Sequence, residues 1–126
     1  MAVRGDKIRR WYNYTGGEVV PDHVTQVQVT VDASVTIIPE GAFEEHPNIE
    51  EVYCHAKVEK IGHAAFAECP SLRRVSMPGV EDVKEEAFYE CKALIYVECD
   101  NLGIIGYCAF NGCESLRDIN LLSNNR

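Results

Sequence analysis

The chain has 126 residues, 46% apolar and 25% charged, which suits one globular domain. Its formal charge of −8 argues against a phosphate-binding surface, since nucleic-acid binders carry a basic face. No stretch approaches the roughly 20 apolar residues of a membrane span.

The N-terminal arm, residues 1–25, holds four basic and three acidic residues, against eight and seventeen in the rest. Its start, MAVRGDKIRRWYNY, lacks the apolar core of a secretory signal. An intracellular location is therefore the default reading, and an extracellular one applies if the sequence is a fragment of a surface protein. RGD at residues 4–6 and the sequon Asn13-Tyr14-Thr15 are read as coincidental in such a chain.

From about residue 26 one phrase recurs. AFAECPSLRRV (65–75) returns as AFYECKALIYV and again as AFNGCESLRDI, each 22 residues after the last. A looser copy ends in VTIIPEGAFEEHPN (35–48), and a half copy, LRDINLL, opens at Leu116. The period is 22 or 23 residues, with the one-residue slip in the loop before Val80. Apolar columns run through the copies. One holds Ile49, Leu72, Leu94 and Leu116. The next holds Val29, Val52, Val75, Val97 and Ile119, and a third Val31, Cys54, Met77, Cys99 and Leu121. Val35, Val58, Val80 and Leu102 follow, then Ile38, Ile61, Val83 and Ile105, and lastly the Ala-Phe pairs ending in Phe43, Phe66, Phe88 and Phe110.

Alternation in VSM fits a half-buried strand. In IGHAAFAEC the offsets of Ile61, Ala65, Phe66 and Cys69 fit one face of a two-turn helix, and Pro47 and Pro70 follow where a helix has to stop. Each copy thus reads as strand, turn, short second extended piece and helix. A unit this small cannot bury its own apolar side, so copies must stack. The expected fold is α/β: a right-handed solenoid of about four and a half coils over 26–126, with parallel strands on one side and short helices on the other. The whole is one structural domain.

The motif L-x-x-V-x-M-P, followed by V-x-x-I-G-x-x-A-F-x-x-C-x-x-L, resembles the BspA-like class of leucine-rich repeats over about residues 26 to 121. The first copy departs from it, with Gln26 where Leu belongs and His46 where Cys belongs. The resemblance implies a binding scaffold, often cell-surface or host-interacting, and no reaction.

The six cysteines follow the columns. Cys69, Cys91 and Cys113 share one, and Cys54 and Cys99 share another with Met77 and Leu121, so these five read as buried structural thiols. Disulfides between stacked coils are the competing reading, and the bridge geometry opposes them. No C-x-x-C or H-E-x-x-H pattern signals a metal site. Cys108 falls in the variable column Gly41, Ala64, Glu86, Cys108, which should face outward, and is expected to be the most accessible thiol. Cys54 and His55 are strand neighbours pointing to opposite faces, and His63 lies apart from Cys69, so neither pair makes a nucleophile. No catalytic residue, cofactor or metal is assigned.

The polar positions of the strands are more informative. Gln28, Glu51, Arg74, Tyr96 and Asp118 form one outer column; Thr30, Tyr53, Ser76, Glu98 and Asn120 form the next. Glu51 beside Arg74 is a cross-strand charge pair. Tyr and Arg are the types enriched at interface hot spots. Glu51, Tyr53, Arg74, Ser76, Tyr96 and Glu98 are therefore the candidate partner-binding residues, for an unidentified protein partner. Trp11, Tyr12 and Tyr14 read as an N-terminal cap. The C-terminal end has no comparable segment, so either more repeats follow in a longer protein, or two copies associate through that end, or the half repeat is polar enough to suffice; the alternative function is a structural or self-assembly module associating through that end, or a fragment of a longer repeat protein.

Overall fold

A computed structural model describes residues 11–29 and 33–119. Ten short strands form two parallel sheets. The larger runs β1 (Trp11–Asn13), β2 (Gln26–Val29), β4 (Glu51–Cys54), β6 (Arg74–Ser76), β8 (Tyr96–Glu98), β10 (Asp118–Ile119), in that spatial order. The smaller stacks β3 (Ile37–Ile38), β5 (Lys60–Ile61), β7 (Asp82–Val83) and β9 (Ile104–Ile105). The coils that begin at β2, β4, β6 and β8 each add one strand to each sheet, and β1 and β10 extend the larger sheet alone, giving a parallel β-solenoid. Val52, Val75 and Val97 point inward and are fully buried, as β-branched residues on the inner face of a pleat should be.

Behind the strands runs a column of aromatic rings. Phe43, Phe66, Phe88 and Phe110 stack with centroids 4.9, 5.1 and 5.2 Å apart and planes within 4°. The spacing is that of adjacent strands, so the repeat sets the stack. Each fully buried ring contributes about 1.5–3 kcal/mol by burial. Tyr14 lies over Phe43 at 5.0 Å, tilted by 49°, and closes the stack at its N-terminal side. The Tyr14 hydroxyl is pushed up to about 12 by burial, then by the nearby Glu18 and Tyr12.

No helix occurs among the described residues, and the segment expected as a two-turn helix is a chain of turns. The backbone bonds explain why. From Ala64 to Ala67 the N–H groups alternate: Ala64 and Phe66 donate to Glu85 and Ala87 of the next coil, while Ala65 and Ala67 donate to Gly62 and Ala64 within the coil. A helix would keep every N–H for itself. Here half of them join coils. The alternation requires left-handed backbone at Gly41, Ala64, Glu86 and Cys108, with φ between 56° and 63°, and again at Glu45, Glu68, Glu90 and Gly112. The variable column is thus set by backbone conformation rather than exposure. Ala64 within it is buried, a correction to the outward-facing reading.

The first coil also differs from expectation. Val27, not Val29, pairs with Val52, and Gln26, not Gln28, pairs with Glu51. Val29 aligns with Cys54, and Gln28 with Tyr53. Val24 therefore occupies the Ile49–Leu72–Leu94 position, where it is buried, and Gln26 belongs to the outer column. The step between coils is 25 residues here, against 23, 22 and 22 later. The extra residues fall between Val29 and Val35. A slip of two keeps inward residues inward, so alternation alone does not reveal it. Thr30, Val31, Asn120 and Leu121, expected in the strand columns, lie outside the described residues.

The opposite adjustment appears at Gly79. A Cβ there would collide with the Ala56 carbonyl oxygen, so the shorter loop of the β6 coil closes only with glycine.

Candidate functional site

The pairing of β4, β6 and β8 brings the six candidate residues into one grid. Glu51, Arg74 and Tyr96 are successive register partners, as are Tyr53, Ser76 and Glu98. Arg74 is exposed and the other five are half-buried. Hydrogen bonds hold the grid in place. Ser76 Oγ donates to Glu98 Oε1 at 2.7 Å. The Tyr53 hydroxyl donates to Glu51 Oε1 at 3.3 Å, and Gln26 Nε2 donates to the same oxygen at 3.4 Å. Glu51 and Arg74 are cross-strand neighbours as expected. The guanidinium of Arg74, however, lies over the Tyr96 ring, 5.4 Å from its centroid. Such a cation–π contact contributes about 0.5–1 kcal/mol at an exposed site.

Trp11 joins this surface. Its place beside Tyr12 and Tyr14 suggests a cap, yet β1 pairs in register with β2 and sets Trp11 beside Gln26. Its ring meets Tyr53 edge-on at 5.3 Å and stays 40% exposed. The alternation of Trp11 and Asn13 with Tyr12 and Tyr14 is the signal that separates outward from inward residues. Tyr14 is the aromatic that covers the core. Tyr12 packs against the core and donates to Glu18 Oε2 at 3.1 Å.

Glu18 ties this segment down. Burial raises its pKa, but hydrogen bonds from backbone N–H groups and from the Thr15 and Tyr12 hydroxyls outweigh that and hold it at about 2. The shortest is Thr15 Oγ1 to Glu18 Oε1, 2.8 Å.

None of the six cysteines is bridged in a disulfide. Cys54, Cys69, Cys91 and Cys99 are buried, while Cys108 and Cys113 are partly exposed. Cys108 thus shares its accessibility with Cys113. The shared column does more than fill space. Cys69, Cys91 and Cys113 donate from Sγ to the carbonyls of Phe43, Phe66 and Phe88, one coil back, at 3.0, 3.0 and 3.1 Å. His46, the apparent misfit, does the same work: its Nε2 lies 2.8 Å from the Pro21 carbonyl. Its Nδ1 accepts from the N–H groups of Asn48 and Ile49, which makes Nε2 the protonated nitrogen. Burial pushes Cys54 and Cys113 up to about 12 and Cys99 to about 11. Cys91 is raised as well, by the adjoining Cys69 thiol first and then by burial. Such thiols are poor nucleophiles.

His63 stands between Glu40 and Glu86, at 3.9 and 3.5 Å. His55 Nδ1 accepts from the Lys57 N–H. Among the described residues no group of three or more His, Cys, Asp or Glu could hold a metal ion, and no helix is long and apolar enough to cross a membrane. On the turn side, Glu68, Pro70, Tyr89, Glu90 and Lys92 line an open, polar depression.

The stacked sheets, the phenylalanine column and the thiol column all carry the repeat seen in the sequence. A profile of the BspA type leucine-rich repeat region matches residues 23–126, in six copies. The chain belongs to the BspA-type leucine-rich repeat family. Repeat proteins of this family are typically binding scaffolds and generally non-catalytic, and the family implies protein binding. A solved structure, of a leucine-rich cell surface protein from Faecalibacterium prausnitzii, is similar in fold, with a TM-score of 0.54 and 20% identity. The match covers 80% of this chain and 33% of that one, so the BspA-type chain described here spans about a third of its length. A search of curated proteins returned no match.

Proposed function

We propose that this chain is a non-catalytic interaction module whose partner protein docks on the outer face of the six-stranded sheet. Glu51, Tyr53, Arg74, Ser76, Tyr96 and Glu98 are the contacting residues, joined by Trp11. The carrying observation is the grid itself: two tyrosines, a tryptophan and an arginine held by mutual contacts on strands of one sheet. Ordered aromatic and arginine side chains lose little entropy on binding, which is what an interface centre needs. We place the module outside the cell. The F. prausnitzii protein of similar fold is a cell surface protein, and the intracellular default has no comparable support.

The test is quantitative capture. The wild-type chain is immobilised beside a Tyr53→Ala, Arg74→Glu, Tyr96→Ala variant and a turn-side control, Tyr89→Ala, Lys92→Glu. A partner retained by wild type and control but lost by the strand-face variant supports the reading. A partner lost only by the control moves the site to the turn side.

A second reading has its own observation. At the C-terminal side Ile105, a core-column residue, is 48% exposed and Tyr107 76%. That apolar surface supports self-assembly through the open end.

A further inference from the structure

The six-stranded sheet also carries paired charges of opposite sign. IEEVY and LRRVS fill equivalent places in consecutive coils: Glu51 opens β4 with Glu50 just before it, and Arg74 opens β6 with Arg73 just before it. Glu51 and Arg74 are register partners, and the Arg73 N–H bonds the Glu50 carbonyl at 2.8 Å. Acidic and basic pairs thus stand side by side on neighbouring strands. They do not close on each other. Glu51 takes hydrogen bonds from Gln26 and Tyr53 on one side, and Arg74 lies over Tyr96 on the other. Among the described residues no carboxylate comes within ion-pair distance of Arg73 or Arg74, although the chain carries more acid than base. Glu50, Arg73 and Arg74 are exposed.

We propose that the occupant of this face is a second copy of the chain, stacked sheet to sheet about a two-fold axis that runs parallel to the strands between β4 and β6. This proposal rests on the strand-face reading and names its partner. A rotation about that axis reverses the order of coils and preserves position along the strand. Glu50 and Glu51 of each copy then meet Arg73 and Arg74 of the other, twice over, as an isologous contact requires. A two-fold axis along the stack would instead keep the order of coils. It would set Glu against Glu and Arg against Arg, and like charges in register are repelled. Charge complementarity therefore selects both the occupant and its orientation. The strands are short and about 4.8 Å apart, so the footprint is small and the dimer weak and salt-sensitive.

Sedimentation equilibrium over a wide dilution series tests this, at low and at high salt. Four samples are compared: wild type, Arg73→Glu with Arg74→Glu, Glu50→Arg with Glu51→Arg, and an equal mixture of the two variants. The wild type should dimerise reversibly and dissociate more readily in high salt. Each variant alone should bind itself at least about tenfold more weakly, and the mixture should restore the dimer as a heterodimer. Thermal melts matching the wild type show that the variants fold. A wild type that stays monomeric overturns the proposal, as does association equal in all samples or a mixture that fails to recover. A monomer would leave the face open to a different protein, and quantitative capture judges that reading separately.

Discussion

The two ends of the solenoid are built differently. On the N-terminal side β1 adds a strand, Tyr14 covers the first phenylalanine, and Glu18 fastens the connecting turn with hydrogen bonds. On the C-terminal side the same core columns surface: Ile105 is exposed and Phe110 only half-buried. The residues at the two ends are alike in hydrophobicity. What differs among the described residues is how far each is covered, so burial in a stacked fold follows position in the stack as well as residue type.

Substitution along the aromatic column is the strongest way to break that comparison. Phe88→Ala, between two covering rings, should cost about 3–5 kcal/mol in chemical denaturation. Tyr14→Ala should come next, at about 3 kcal/mol, because it uncovers Phe43. Phe110→Ala should cost only about 1–2 kcal/mol, its ring being half-buried. Equal losses at Phe88 and Phe110 would mean that both ends are closed.

Acid titration sharpens the contrast at the fastened end. Glu18 holds its charge in the folded state down to about pH 2, against an ordinary value of 4.5. Its folded pKa is depressed, so its contribution is present above pH 4.5 and is lost as pH falls from there towards 2. Glu18→Gln should flatten that acid limb of the stability profile, measured by thermal melts. The buried thiols act at the other extreme. Folding raises their pKa values from about 9 to between 11 and 12, so the stability they hold is present below pH 9 and lost as pH rises towards 12. The smallest effect is expected at the open end. Ile104, 61% exposed, should tolerate replacement by Ser within about 0.5 kcal/mol.

The later coils were legible in the sequence because three independent signals agree there. The Val column, the Ala-Phe pair and the Cys that closes each turn all return at one spacing, and the structure keeps them in register. The same agreement assembled the candidate grid from Glu51 to Glu98. The first coil misled because its landmarks compete. Val27 and Val29 both satisfy alternation, and only the pairing chooses between them. The turn segment misled for another reason. Apolar spacing reports which side is buried, and a run of turns that sends alternate N–H groups sideways buries the same residues as a helix would. The thiol-to-carbonyl bonds, and their imitation by His46, depend on where the preceding coil lies, which no local pattern encodes.

Those sideways bonds give the solenoid a direction. On the turn side the donors between coils point one way: Gly41 to His63, Ala64 to Glu85, Glu86 to Tyr107. On the strand side the bonds run both ways: Arg73 donates back to Glu50, and Met77 donates forward to Glu98. A coil therefore has a head and a tail, as a brick with studs and sockets does. On the turn side, two copies meeting end to end by a two-fold axis would set like against like, donor on donor. Association through the ends that continues the turn-side bonds runs head to tail and has no built-in stopping point, whereas pairing through the sheet face ends at two. Whether self-association stops at a dimer or grows into strings thus tells which surface is in use.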